Sequence, residues 1–211
     1  MDEIYIFSKT EDPVVVIGKA AGESRGKAGI EDMASYKGRV ERCFKAGHMS
    51  IFEYADVAFH IGGISRSCSH QLVRHRLASP CQKSQRYVKL YSYSCEDCVI
   101  PPTISADLQL QKAFADMANS SGELYRLLLD RGVPAEDARY ILPEGTKTSM
   151  SFKCNLREFY HICSLRTDAS AQWEIREVVS AMKTILAAQD EQWRFLVELY
   201  DLSESQKYLR R

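Results

Sequence analysis

Between positions 74 and 87 the chain reads RHRLASPCQKSQRY, which brings Arg74, His75, Arg76, Lys83, Ser84, Arg86 and Tyr87 into fourteen residues. Three guanidiniums in so short a stretch repel one another unless bound anions offset their charge. Each planar fork grips two oxygens at once, a geometry suited to phosphates. Gln71 precedes the cluster and Gln82 lies inside it, each an amide that can both donate and accept. These residue types point to capture of a phosphorylated small molecule. Ser84 reads as a ligand of phosphate or ribose, because no His-Asp pair at recognisable spacing accompanies it and an unassisted hydroxyl is a weak nucleophile.

The elements that must position this cluster follow from periodicity. Val14 to Ile17 reads as extended, broken by Gly18 and Gly22. Met33, Tyr36, Val40 and Phe44 recur at helical spacing, which predicts a helix from about Ile30 to Ala46 stopped by Gly47. Ala55, Val57, Phe59 and Ile61 alternate as a half-buried strand would, ended by Gly62 and Gly63. Ile64, Cys68 and Leu72 sit four apart, so Ser65 to about Arg76 should be helical with Gln71 and Arg74 on one face. Pro80 disfavours a helix through the signature, so Leu77 to Ser84 is predicted as a loop and Gln85 to Tyr93 as a strand. Tyr87, Tyr91 and Tyr93 would then share one packed face.

Further on, a helix is predicted from about Ser105 to Asp130 with an interruption near Gly122, then a short helix from Pro134 toward Pro143. Thr148 to Cys154 reads as a strand, followed by two helices, the second starting near Ala171 and carrying Trp173 as a core residue. No G-x-G-x-x-G opens a helix and few strand-helix-strand repeats are visible. The fold class expected is α+β: a mixed or antiparallel sheet with helices packed on it, in a single domain spanning 1–211, and not a Rossmann fold.

The signature, RHR then seven residues, Ser, and Arg-Tyr two positions later, resembles that of the flavin-dependent thymidylate synthases. The resemblance extends to GHMSIFEYADVAFHI (Gly47 to Ile61), ARYILP (Ala138 to Pro143), NLR (Asn155 to Arg157) and LRTDASAQWEIR (Leu165 to Arg176), in the family's order. It implies a deoxyuridine monophosphate (dUMP) site at Gln71, Leu72, Val73, Arg74, Gln82, Lys83, Ser84, Gln85, Arg86, Arg139 and Arg166. It implies FAD contacts at Ser50, Arg74, His75, Arg76, Gln82, Asn155, Leu156, Arg157 and His161, with His48 and Glu53 as a cofactor-side pair. Arg166 would be the catalytic cation beside the uracil ring. Methylenetetrahydrofolate would give the carbon and NADPH the reducing equivalents, with no cysteine adduct and no metal. Family flavin sites lie between subunits, so a homotetramer is implied.

Other readings of the same side chains stay open. Arg157 can pair with an acid such as Glu158 while His161 is a half-buried surface histidine, and Arg166 can bridge to Asp168. His48 and Glu53 can be a helix-terminal and a strand-initiating residue. Two departures from the family pattern are Cys81-Gln82, where Asn-Glu is common, and Ser170, where His is common.

Bulk properties narrow the field. Lys plus Arg and Asp plus Glu each number 28, so the basic cluster is local and a nucleic-acid partner is disfavoured, although an RNA-binding module using the arginines and tyrosines is the competing class. A catalytically silent relative that keeps nucleotide binding is a third reading. The opening MDEIYIF has acids where a secretory signal has bases, and no apolar run approaches the roughly twenty residues that span a bilayer, so a cytoplasmic protein is expected. Seven cysteines, an odd number, read as free thiols, and Cys95-x-x-Cys98 lacks a second pair to complete a zinc set.

Overall fold

The computed structural model describes residues 3–23, 26 and 32–208. Strand β1 (Ile4–Lys9) and helices α1 (Pro13–Glu23) and α2 (Met33–Lys45) are followed by a 3-10 turn (Met49–Tyr54), β2 (Asp56–Ser65), α3 (Arg66–Leu72) and β3 (Ser79–Gln82). Then come α4 (Pro102–Ser105), α5 (Leu108–Asp130), α6 (Ala135–Ala138), β4 (Lys147–Asn155), α7 (Leu156–Arg166), α8 (Trp173–Ala187) and α9 (Glu191–Tyr208). The strands form one sheet in the order β1-β2-β4-β3. Its antiparallel register is marked by Thr10 N to Asp56 O (2.9 Å), Leu156 N to Ala55 O (2.8 Å), Arg66 N to Thr146 O (2.9 Å) and Lys83 N to Ser149 O (2.9 Å). The α+β class with an antiparallel, non-Rossmann sheet is as expected.

By contacts the chain divides into two compact units, one of Met1–His60, His75–Pro80 and Ser151–Arg211, the other of Ile61–Arg74 and Cys81–Met150. In the first, Val14, Ile17, Val40, Phe52, Phe159, Ile175, Val178, Met182 and Trp193 are buried. The segment read as extended is helix α1. Val14, Ile17, Gly18, Ala21 and Gly22 fall on one buried stripe, and that amphipathic burial overrides the β-branched run. Gly18 does not break the helix. A Cβ there would overlap Tyr36 of α2, so the missing side chain lets the two helices close. Helix α2 starts at Asp32, whose side chain accepts from Ser35 N, and stops at Gly47 with φ of +76° as expected; the predicted start at Ile30 lies outside the described residues.

Strand β2 runs through Gly62 and Gly63 instead of ending there, and as an inner strand it buries Val57, Ala58, Phe59, Ile61 and Ile64 on both faces. In the second unit, the segment read as a strand from Gln85 to Tyr93 is turn and loop. Tyr87 and Tyr91 are exposed, and only Tyr93 is packed, its hydroxyl bonded with Cys98 Sγ (2.8 Å) and Thr146 Oγ1 (2.9 Å). Helix α5 is unbroken at Gly122, where the absent side chain makes room for the Tyr93 carbonyl. Strand β4, α7 and α8 fall where periodicity placed them, α9 is a third helix where two were expected, and Trp173 is only half-buried while Trp193 is the core tryptophan.

Candidate functional site

The signature begins at the end of α3. Ser65 Oγ accepts from Cys68 N (2.9 Å) to start the helix, which stops at Leu72, so Arg74 and Arg76 lie beyond it in turns and Gln71 and Arg74 do not share a helical face. Two like-charged arginines with no intrahelical counter-ion gain little from extending the helix. Arg74 and Arg76 are exposed while His75 between them is 5% exposed. The segment expected as a loop contains β3. Pro80 sits in this edge strand, where no ladder donor is required of it.

In the second unit, Gln82 Nε2 donates to Ser69 Oγ (2.7 Å) and Thr148 Oγ1 (3.3 Å). Arg86 is ion-paired with Glu136, and Ser84 Oγ accepts from Arg86 N (3.2 Å). Glu136 also offers its carbonyl to Arg139 Nε (3.0 Å), so one residue of α6 touches two of the predicted phosphate-binding cations. Arg139 and Gln85 line a cavity of about 340 Å³ with Arg66, His70, Tyr140 and Glu144. Burial pulls the Arg66 guanidinium below its ordinary range, with Arg139 adding to the effect and Glu144 opposing it. Arg66, His70, Tyr140 and Glu144 escaped the sequence reading, although Arg66 and His70 are four apart on α3 and Tyr140 follows Arg139 directly. Gln71 is half-buried, Val73 and Lys83 are exposed, and Leu72 is fully buried, so a ligand can meet Leu72 only through its backbone.

In the first unit, Asn155 caps α7 by accepting from Glu158 N (2.9 Å), and Leu156 is fully buried in the core. Arg157 forms its ion pair with Glu53, not with Glu158. Glu158 is instead 3.4 Å from His75 Nδ1, and both side chains are almost fully buried. His75 Nε2 accepts from Arg166 Nε (3.1 Å), and the His161 ring stands edge-on to His75 at 6.1 Å. Burial drives the His75 pKa down to about 4, helped by Arg166 and then His161, so the imidazole is neutral at pH 7. Burial raises Glu158, with His161 opposing.

His161 is exposed and, with Arg157, lines a cavity of about 410 Å³ whose other walls include Phe44, Met49, Tyr160 and Tyr200. Ser50, His48 and Glu53 line a second, of about 580 Å³, with Cys43 and Tyr54. Asp168 accepts from Ser170 N (2.9 Å) and Oγ (2.6 Å), giving Ser170 a local partner. All seven cysteines are free, and burial pushes the Cys163 thiol up to about 12 and those of Cys98 and Cys154 up as well, which suits packing and not nucleophilic attack. Among the described residues no helix is long and apolar enough to cross a membrane.

The predicted residues sort by unit. Those expected to meet dUMP lie in the second unit except Arg166, and those expected to meet FAD lie in the first except Arg74 and Gln82.

Comparison with known proteins identifies the family. Residues 6–190 match the model of the family described as thymidylate synthase complementing protein. A flavin-dependent thymidylate synthase of Geobacter sulfurreducens is 37% identical over 186 residues, covering 85% of this chain and 80% of that one. One of the same name from Pyrococcus furiosus is 45% identical over 146 residues, or 69% of this chain and 60% of its own length. The crystal structure of thymidylate synthase X from Helicobacter pylori with FAD and dUMP shares the fold, with a TM-score of 0.74 at 22% identity over 94% of this chain and 98% of that one.

Proposed function

The chain belongs to the thymidylate synthase complementing protein family, and from that premise we propose that it is a flavin-dependent thymidylate synthase. The overall reaction is dUMP plus methylenetetrahydrofolate plus NADPH and a proton, giving dTMP, tetrahydrofolate and NADP⁺. The observation that carries this reading is the match of residues 6–190 to that family, beside the placement of Arg86 and Arg139 in one compact unit and Arg76 and Arg157 in the other.

The donor set fits a dinucleotide. Arg76 is exposed, while Ser50, Arg157 and His161 line cavities, and these groups together offer the cations and hydroxyl that phosphates and ribose require. Bound FAD supplies the hydride chemistry. The chain's own part is to bind and orient. Arg86 and Arg139 meet the nucleotide phosphate, Gln82 and Ser84 the sugar, and Gln71 the base edge. Making carbon 5 of uracil nucleophilic moves negative charge onto the ring oxygen and nitrogen. Arg166, fixed beside the ring, stabilises that charge more in the transition state than in the ground state. Activation through a fixed cation needs no cysteine adduct.

Residues 1–211 act as one functional domain in a homotetramer whose sites draw on more than one subunit. Helix α5 supports assembly. It leaves Leu110 (52%), Met117 (44%) and Leu124 (45%) exposed at seven-residue spacing along one side. A cytoplasmic location accords with free cysteines and a nucleotide substrate.

The test is optical and chemical. Purified protein should be yellow, and NADPH oxidation should quicken on adding dUMP and methylenetetrahydrofolate, with dTMP formed. A colourless protein that does not take up FAD and makes no dTMP overturns the proposal.

A further inference from the structure

The resemblance gives His75 a cofactor role and gives Glu158 none, yet both are locked into the setting of Arg166. Arg166 Nε donates to His75 Nε2 at 3.1 Å, so that nitrogen presents its lone pair and the ring's proton sits on Nδ1. Nδ1 in turn faces Glu158 Oε1 at 3.4 Å. Glu158 is held at its backbone by the Asn155 cap (2.9 Å), one turn into α7, the helix that ends at Arg166. His75 and Glu158 are each 5% exposed, so neither is a surface accident. Buried polar groups seldom go without a partner, and Glu158 is the carboxylate that stands against Nδ1.

We propose that His75 and Glu158 are positioning residues for the reaction: Glu158 selects the Nδ1–H tautomer of His75, and the bare Nε2 then fixes the plane of the Arg166 guanidinium. The inference rests on the assignment of Arg166 to the uracil ring. A guanidinium is rigid and planar, so capturing Nε sets the plane in which both Nη atoms lie. A protonated imidazole would oppose its own N–H to that of Arg166, and the depressed basicity of His75 keeps the acceptor available at neutral pH. His161, edge-on at 6.1 Å, faces the same ring and adds to that depression. Preorganisation of this kind reduces the reorientation that the cation must undergo as charge develops on the base.

The experiment compares holoenzyme of the native chain with Glu158→Gln, which keeps an acceptor oxygen, Glu158→Leu, which removes it, and His75→Gln. In Glu158→Leu, kcat should fall about tenfold or more while KM for dUMP and the flavin content change less than about twofold, and Glu158→Gln should recover most of the rate. Nitrogen-15 spectra of imidazole-labelled native protein at pH 7 should show one ring protonated at Nδ1 and bare at Nε2, assigned by its loss in His75→Gln. The proposal is overturned if that ring carries its proton on Nε2 or is charged, or if folded Glu158→Leu keeps native kcat. Should Glu158→Leu fail to fold, the native spectrum and the rate of Glu158→Gln decide. Absence of dTMP from the native enzyme would instead count against the functional reading, leaving the tautomer still measurable.

Discussion

Arg157 of α7 and Glu53 of the 3-10 turn before β2 form an ion pair between residues 104 positions apart in sequence. The two side chains are about half exposed, so the pair contributes roughly 0–1 kcal/mol to stability. Its value lies in placement. Arg157 lines the cavity of His161 and Glu53 the cavity of Ser50, so one contact ties the rims of both.

Arg157→Ala should therefore separate binding from folding. Flavin retained through gel filtration should fall several-fold, while the thermal midpoint moves by no more than a surface substitution does, within about 0.5 kcal/mol. Absorbance near the flavin bands and a melting curve of the apoprotein check the two halves. Loss of stability with full flavin content would make Arg157 a structural residue.

The assigned cations should divide in the same way. Arg166→Ala is expected to cut kcat by about 10²–10³ while FAD stays bound, as for other groups aimed at developing charge. Arg76→Ala should release FAD first. Steady-state kinetics at saturating FAD, beside flavin content after desalting, read both. Retention of FAD in Arg76→Ala with only dUMP affinity lost would reverse the division of the arginine cluster.

A pH dependence follows from His75. Burial, Arg166 and His161 lower its pKa to about 4 in the folded chain, against about 6.5 unfolded. Between those values the unfolded chain binds the extra proton, so this group's contribution is complete above pH 6.5 and is lost as pH falls toward 4, by at most about 1.4 kcal/mol per unit. Glu158, raised by burial with His161 opposing, acts in the opposite sense. Urea midpoints of the native chain should thus fall from pH 6.5 to 5.5, and the fall should flatten in His75→Gln. Equal slopes in the two proteins would mean that His75 titrates normally.

What could be read from the linear chain was what local periodicity and residue type determine. Tyr36 and Val40 marked α2, and the run from Thr148 to Cys154 marked β4. Failures came where distant neighbours decide. Val14 and Ile17 join a helix because Gly18 lets Tyr36 close on it, and Pro80 joins a strand because the sheet offers it an edge. Tyr87, Tyr91 and Tyr93 alternate, yet only Tyr93 meets Cys98 and Thr146. The contact of His75 with Arg166 spans 91 positions, and no spacing rule reaches that far.

Assembly provides the last test. Leu124 is 45% exposed on α5, in line with Met117 and Leu110, so a charge there costs the isolated fold little. In a tetramer that covers this side of the helix, the same charge would be buried without a partner, a loss of several kcal/mol repeated at every symmetric contact. Leu124→Glu should then shift the native mass in light scattering from tetramer toward smaller species, with circular dichroism unchanged. Because cofactor sites in the proposed assembly draw on more than one subunit, flavin content should fall with the mass. A tetramer that survives Leu124→Glu would place the subunit contacts elsewhere on the chain.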